Sequence, residues 1–192
     1  QEIHERQRSE KIQSALYNIT SLASQNENIA EFYPAMHEIV GQLLEAKNIY
    51  VAFIDEENKK VNFAYRVDEF DESVDSRPLT NGLTEWVWAS KAPVLLNDTQ
   101  IKRLKDQHIT VVRGHAPKCW LGVPLIIGGK AIGVIALQSY DSADAYSFKE
   151  QELLMFVSTH IAQALEKIEN SKRIKNAYSE METNVLKRTN EL

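Results

Sequence analysis

The feature that most constrains the fold is an apolar hairpin at residues 118–141, KCWLGVPLIIGGKAIGVIALQSYD. Its two strands flank Gly128-Gly129, and a two-residue glycine loop predicts a primed turn because both central residues take positive φ. The strands are apolar on both faces, so other parts of the chain have to cover both faces. The sequence therefore predicts a sheet with a covering layer on each side.

The pairing of this hairpin, counted outward from the turn without interruption, assigns its side chains to faces. Leu121 and Val134 fall on one face, and Trp120 and Ile135 fall on the other. The second face is lined by glycine, alanine and proline, which leaves room for a close helix or for a ligand. Pro124 cannot donate a hydrogen bond to a neighbouring strand, so we expect a bulge beside it.

Composition narrows the classes of protein. The 192 residues suit one domain with helical extensions, and the net charge of −5 without basic blocks gives no footprint for nucleic acid. The single cysteine, Cys119, excludes an internal disulfide and fits a reducing cytoplasm. No apolar run approaches the roughly 20 residues that span a bilayer, so we expect no membrane contact. The chain begins with Gln1 and ends inside a helical pattern, which indicates a segment of a longer protein.

Two helices are predicted at the start of the chain. Residues 1–25 form a polar pattern in which Ile12, Leu16 and Ile19 are spaced four and three residues apart, as in a coiled-coil seam. The next helix has a broad apolar face. We expect it to begin near Phe32, because Pro34 is tolerated only in a first turn.

Short strands and short helices are predicted in the middle of the chain. Residues 50–54 and 61–65 are rich in β-branched and aromatic side chains and predict a hairpin. An acidic loop, DEFDESVDS, follows and is expected to be solvated. The other predicted elements are a short helix at residues 80–91, a strand at PVLLND and a short helix at residues 101–107.

The last helix is predicted from about residue 148 to the end. It would be about 65 Å long, which exceeds the width of a small domain. Its apolar seam includes Ile161 and Ile168 and resumes, after a one-residue shift, as a second stripe. The second stripe consists of Ile174, Tyr178, Met181 and Val185. We expect these seams, with the stripe at Ile12, Leu16 and Ile19, to join two copies in a parallel homodimer.

The order of these elements, and several stretches, resemble a GAF domain, the small-ligand sensor module of signalling proteins. The stretches are WLGVPLIIGGKAIGVIALQSYD, YSFKEQELLMFVSTHIAQALE, NIYVAFIDEENKKVNFAYRVDEFDE, RPLTNGLTEWVWASKAPVLLND and FYPAMHEIVGQLLEA. The resemblance covers residues 26–168. The last three of these stretches are similar to a bacterial subgroup of the family that is found upstream of GGDEF-type diguanylate cyclases and sensor histidine kinases. Residues 169–192, with METNVLKRTNEL, resemble the helical connectors that lead into such outputs.

The resemblance implies an α+β fold, with a central antiparallel sheet, helices on one face and a pocket on the other. It places the strands that hold Phe53, Tyr65, Leu95 and Trp120 at the pocket floor, although packing of a core is the better explanation for the aromatic residues. The candidate pocket residues are Phe53, Tyr65, Trp86, Leu95, Trp120, Gln138 and Ser139. No ligand or cofactor is assigned, because members of the family bind cyclic nucleotides, bilins, haem, amino-acid-like molecules or nothing detectable.

Several specific chemistries find no support in the sequence. The cyclic-nucleotide signature of the family is absent, and Cys119 begins a strand and precedes Trp120, unlike a bilin-attaching cysteine. The spacing of His108, His115 and Cys119 matches no zinc pattern. The acidic loop lacks the glycine of a calcium site, and no GxSxG elbow occurs. We therefore expect no catalytic activity and no metal in this segment.

The sequence favours a regulatory module that relays ligand binding through its terminal helices to an output domain of the same chain. One alternative is a ligand-free dimerisation module whose own aromatic side chains fill the pocket. Another is an enzyme of the methionine-sulfoxide-reductase kind, which the single cysteine disfavours because a disulfide needs two.

Overall fold

A computed structural model describes residues 2–25, 28–72, 74–111 and 114–190. The helices are α1 (Glu2–Gln25), α2 (Ile29–Leu43), α3 (Leu83–Ser90), α4 (Asp98–Asp106) and α5 (Phe148–Asn190). The strands are β1 (Asn48–Asp55), β2 (Lys60–Val67), β3 (Ser76–Pro78), β4 (Val94–Asn97), β5 (Cys119–Ile127) and β6 (Lys130–Ser139). The predicted mixed α+β fold is confirmed.

The strands form one sheet in the order β3-β2-β1-β6-β5-β4, and every neighbouring pair is antiparallel. The strands β1, β5 and β6 are mostly buried, because helices cover both faces of the sheet. The helices α1, α2 and α5 pack on one face, around residues such as Leu121, Ile135 and Leu154. The short helices lie over the other face, around Trp120 and Val134.

The predicted turn is present, but the pairing beyond it differs from the prediction. Gly128 and Gly129 take φ of 56° and 77°, and Ile127 pairs with Lys130. The register then shifts between Leu125 and Ile126, which leaves an extra residue on β6. The bulge follows Leu125, one residue beyond Pro124, so it lies beside the proline as expected. It moves the side chains of the remainder of β6 to the opposite face of the sheet.

This bulge corrects the predicted faces. Leu121 lies opposite Leu137 in the long-helix core, whereas Val134 and Trp120 share the face below the short helices. Ile135 lies with Leu121 rather than with Trp120. A one-residue slip moves every later side chain of a strand to the opposite face, which is why an uninterrupted count fails here.

The helix α2 begins at Ile29, three residues before the predicted start. The Asn28 side chain accepts a hydrogen bond from the backbone N–H of Ala30, so the helix has an N-cap upstream of its proline. Pro34 therefore stands inside the helix and removes one backbone hydrogen bond. Pro34 and Ala30 are exposed, so water can reach the carbonyl group that loses its partner.

The first helix packs against its own domain, which corrects part of the predicted dimer seam. Ile19, Ile161 and Ile168 are buried, and Ile12 and Leu16 pack against the same core. The Lys167 ammonium donates to Ser24 Oγ at 2.7 Å, at the end where α1 stops and α5 continues. The narrow stripe of α1 packs against α2 and α5 of the same chain. Ile12, Leu16, Ile19, Ile161 and Ile168 therefore pack within the chain and are not free for a partner copy.

The second stripe of α5 is exposed. Ile174, Tyr178, Met181 and Val185 each keep 60–67% of their surface accessible. They follow one another at steps of four, three and four residues, beyond the point where α1 ends. The domain core therefore leaves a continuous apolar stripe on the projecting half of α5.

Candidate functional site

The main candidate site is a cavity of about 370 Å³ on the sheet face below α3. The strands supply its floor and α3 supplies one wall, while the loops after β2 and before β5 supply its rim. The floor residues are Tyr50, Phe63, Arg66, Trp120 and Gln138, and the wall and rim residues include Arg77, Leu83, Thr84, Asp71, Val74, Val111 and Pro117. A cavity of this size with convergent polar groups is typical of small-molecule sites.

The aromatic part of the floor is held by contacts among buried side chains. The Tyr50 hydroxyl lies 2.9 Å from Thr84 Oγ1, and the Tyr50 ring meets Phe63 edge-on at 5.5 Å. Burial raises the pKa of the Tyr50 hydroxyl, so it stays protonated at neutral pH. The Trp120 ring lies over Gly122, where a Cβ atom would approach the ring to 2.2 Å. The absence of a side chain at Gly122 thus allows the indole to lie flat on the sheet.

Replacing Gly122 with valine is expected to displace the Trp120 ring and to lower the free energy of unfolding by about 1–3 kcal/mol. Urea unfolding monitored by circular dichroism measures the loss. Gly41 is a suitable control, because a Cβ at that position meets no atom within 4 Å. An unchanged stability of Gly122→Val would contradict the position of the indole.

A buried ion pair joins β3 to α3 beside the cavity. Arg77 donates to the two carboxylate oxygens of Glu85 at 2.5 and 2.8 Å, and the Thr80 N–H and hydroxyl also donate to Glu85. Burial by itself raises the pKa of the Glu85 carboxyl, but these hydrogen bonds outweigh it and hold the pKa below its usual range. Glu85 is therefore ionised at neutral pH and fully bonded.

A second arginine, Arg66, lies at the other side of the floor. Its Nη2 atom donates to Asp71 Oδ2 at 3.2 Å and lies 3.9 Å from Asp68. Its guanidinium lies 5.6 Å from the centroid of the Phe63 ring. The Nε atom is buried and has no hydrogen-bond partner among the described residues.

The acidic loop is anchored rather than simply solvated, which corrects the prediction. Only 1% of the Asp68 side chain is exposed, and its carboxylate accepts from Gln138 Nε2 at 2.9 Å and from the Tyr140 hydroxyl at 3.0 Å. Asp71 Oδ1 accepts from the backbone N–H of His115 at 2.9 Å. The Phe70 ring stacks on His115 at 5.0 Å. These contacts connect the two loops that form the cavity rim.

The seven predicted pocket residues do not all lie together. Trp120 and Gln138 line the cavity. Phe53, Tyr65 and Leu95 pack against the long-helix core on the opposite face, which is a correction of the predicted floor.

The other two predicted residues lie outside the cavity as well. The Ser139 hydroxyl donates to Glu45, and 42% of Trp86 is exposed on α3. Four residues of the lining were not predicted from the sequence: Tyr50, Phe63, Arg66 and Arg77. The alternation of side chains along the strands is a signal for Tyr50. Tyr50 pairs with Ala136, and Ala136 pairs with Gly122, so the three residues share one face of the sheet.

A separate groove of about 440 Å³ lies on the long-helix face, where α5 leaves the sheet. Phe53, Tyr33 and Leu165 contribute to it, and Glu169 and Arg173 stand at its rim. Its apolar part is a continuation of the long-helix core. Fewer polar groups converge there than in the cavity below α3, so we treat the latter as the candidate site.

The histidines and the cysteine form no metal centre within the ranges that the structure describes, where no group of three His, Cys, Asp or Glu side chains could hold an ion. His115 belongs to the rim contacts, and His108 is exposed. Cys119 is buried, and burial raises the pKa of its thiol, which disfavours the reactive thiolate. In the same ranges, no helix has the length and hydropathy needed to cross a membrane.

The two-sided sheet, the three long helices on one face and the cavity below short helices define a known class of sensory fold. A GAF domain family model matches residues 26–166, so the chain belongs to the GAF domain family. GAF domains are typically regulatory or sensory modules. A search of curated proteins gives no significant match.

Solved structures with the same fold come from enzymes and from signalling proteins. The free methionine-R-sulfoxide reductase of Neisseria meningitidis, in complex with its substrate, is 14% identical with a TM-score of 0.66, over 83% of this chain and 91% of that one. The GAF domain of an Acinetobacter phosphoenolpyruvate-protein phosphotransferase is 19% identical with a TM-score of 0.64, over 84% and 94%. A methyl-accepting chemotaxis protein is 17% identical with a TM-score of 0.66, over 80% and 98%. Identities this low establish the fold alone.

Proposed function

We propose that this chain is a cytoplasmic regulatory GAF module that binds a small ligand below α3 and relays the binding through α5 to an output domain of the same protein. One observation carries the proposal: α5 contacts the strand that forms the cavity floor. Ser158 Oγ on α5 lies 3.3 Å from the Pro124 carbonyl oxygen of β5 and 2.7 Å from the Met155 carbonyl of its own helix, so the two carbonyls share one hydroxyl donor. Trp120, on the same strand as Pro124, lines the cavity. A shift of β5 on ligand binding therefore reaches α5 directly.

The relay also needs a second helix, and we propose that α5 pairs with its own copy in parallel. The stripe from Ile174 to Val185 has coiled-coil spacing and is exposed. Phe156 precedes Ile174 by 18 residues, which is about five turns of an α-helix, so both lie on one face. Phe156 is 51% exposed. The proposed seam thus runs along the outward face of α5, opposite Ile161 and Ile168.

The output domain is proposed to be a diguanylate cyclase or a histidine kinase. This proposal rests on the resemblance of residues 26–192 to modules that precede such domains. Structural similarity to a GAF domain of a phosphotransferase and to a chemotaxis protein supports a signalling role in general.

A ligand-free dimerisation module is the second candidate function. The observation that favours it is that Arg77 is fully bonded to Glu85, and that Arg66 is held by Asp71, without any added molecule. An enzyme like the sulfoxide reductases is disfavoured. Cys119 is the only cysteine of the sequence and is buried, whereas formation of an internal disulfide requires two accessible thiols.

Native mass spectrometry of the freshly purified chain, with a denatured control, tests the proposal. We expect a dimer that carries the extra mass of a small molecule, which is lost on denaturation. Val111→Trp, at the exposed rim of the cavity, should remove that mass and leave the dimer intact. Ile109→Trp, an exposed position outside the cavity lining, is the matched control. A bare dimer would favour the ligand-free module, and a bare monomer would contradict the pairing of α5.

A further inference from the structure

The unpaired edge of Arg66 identifies the chemistry that the cavity can accept. An arginine presents Nε–H and one Nη2–H in parallel along one edge, and a single carboxylate matches both donors. In this edge, Nη2 is bonded to Asp71 at 3.2 Å while Nε has no partner in the part of the chain that the structure describes. A buried N–H without an acceptor is unfavourable, so this edge is only half satisfied.

Asp71 cannot complete the edge, because its two oxygens serve different donors. Oδ2 accepts from Arg66, and Oδ1 accepts from the backbone N–H of His115. The Asp71 carboxylate also lies against Gly114, where a Cβ atom would approach it to 2.2 Å. Asp71 is thus fixed to the opposite loop and reaches Arg66 with one oxygen only.

The other nearby carboxylate is also committed. Asp68 lies 3.9 Å from Nη2, and its oxygens already accept from Gln138, Tyr140 and the backbone N–H groups of Phe70 and Asp71. The remaining acceptor for Nε therefore has to come from outside these side chains. Asp71 already occupies Nη2, so a carboxylate that pairs side-on with both Nε and Nη2 has to take the place of Asp71.

Building on the proposed function, we infer that the cavity binds a small monocarboxylate with an apolar body, and that its carboxylate replaces Asp71 in a side-on pair with Arg66. The aromatic floor of Tyr50, Phe63 and Trp120 receives the body of the ligand. One negative charge replaces another at Arg66, so the local charge stays balanced. A phosphate dianion is disfavoured, because it would add charge close to the buried Asp68.

The exchange explains how binding could be sensed. Release of Asp71 from Arg66 detaches the loop after β2, together with the loop that holds His115, from strand β2. Those loops form the cavity rim, and the second one leads directly into β5. The ligand therefore acts at the base of the strand that α5 contacts.

Calorimetric titration of the chain with benzoate tests the inference, with benzamide and inorganic phosphate as matched probes. Asp71→Asn removes the competing charge and is expected to tighten benzoate binding about tenfold or more relative to the unmodified chain. Glu72→Gln removes the same charge at the rim without touching Arg66, and should change the affinity less than about threefold. Arg66→Lys keeps the charge but lacks the two parallel donors, so it should weaken benzoate about tenfold or more.

The inference is overturned if Asp71→Asn binds benzoate no better than Glu72→Gln does, or if benzamide or phosphate binds as well as benzoate. Circular dichroism shows whether Arg66→Lys remains folded, and the Asp71→Asn comparison does not depend on that variant. A native adduct without benzoate binding would refute the carboxylate site and leave the proposed function standing. Benzoate binding that leaves spin-label distances at Asn176→Cys, outside the proposed seam, unchanged across the dimer would refute only the relay.

Discussion

Replacing Arg77 with methionine is expected to lower the free energy of unfolding by about 3–5 kcal/mol at neutral pH. The arginine is the buried cation that faces Glu85, whose side chain is 8% exposed. Without it, a carboxylate would remain in the protein interior with only the Thr80 donors. Urea unfolding at pH 7 measures the loss, and Arg6→Met is the matched control because Arg6 pairs with Glu10 on the surface. The control should lose less than about 1 kcal/mol.

The pH dependence gives this prediction a second readout. In the unmodified chain the pKa of Glu85 is lowered, so the pair contributes stability above the unfolded pKa of about 4.3, and this contribution is lost as pH falls through the lower folded value. In Arg77→Met, burial acts without the arginine and the pKa of Glu85 is expected to rise. Protonation then neutralises the buried carboxylate. The difference in free energy of unfolding between the variant and the unmodified chain should therefore shrink as pH falls from 7 to 4.5.

The double variant Arg77→Met with Glu85→Gln distinguishes the loss of the ion pair from the cost of leaving an unpaired carboxylate in the interior. A neutral, well-packed replacement of a buried ion pair is often close to neutral in stability, so the double variant should recover most of the loss. Equal losses in the single and the double variant would show that Arg77 acts through packing alone. A single variant as stable as the Arg6→Met control would contradict the buried position of Glu85.

Replacing Ile174 with aspartate is expected to raise the dimer dissociation constant more than about 100-fold. Each copy would lose a buried isoleucine side chain worth about 1.5–3 kcal/mol, and the dimer contains two copies. The aspartates would also face each other across the proposed seam. Sedimentation equilibrium over a range of concentrations measures the change.

Asn176→Asp is the matched control for this prediction, because residue 176 is two positions along the helix and points away from the Ile174 stripe. It should leave the dimer within about threefold of the unmodified chain. Ile161→Ala distinguishes the core-facing seam of α5 from its proposed dimer seam, because Ile161 is buried in the domain core. It should lower the free energy of unfolding by about 2–5 kcal/mol rather than weaken a folded dimer. Equal weakening by Ile174→Asp and Asn176→Asp would contradict the proposed seam.

The cavity and α5 lie against opposite faces of the same strands, so the path between them through the sheet is short. Alternate side chains of β5 face opposite layers: Trp120 points to the cavity and Leu121 to the long-helix core. A ligand that moves the strand changes both layers at once, because packed interiors respond to small displacements by repacking. The proposed relay therefore runs through the sheet, the Ser158 contact and α5.

The amino-acid sequence by itself determined the local elements. The Gly128-Gly129 turn, the β-branched runs and the apolar spacing of the helices each follow from contacts within a few residues, so their pattern is visible along the chain. The quoted stretches also identified the family correctly. The exposed stripe at Ile174 was apparent for the same reason, because helical spacing alone defines it.

Only the tertiary structure decided which side chains meet. The bulge after Leu125 reversed the faces of β6, the stripe of α1 packed on its own α5, and Phe53 and Tyr65 went to the core rather than to the cavity. Arg66 meets Asp71 and Arg77 meets Glu85 through the chain reversals around β2 and β3. Faces and partners of this kind depend on register and on packing between distant segments, and a single added residue in a strand inverts them. The site is therefore a product of the assembled sheet, whereas the elements that form it were already specified by the local sequence.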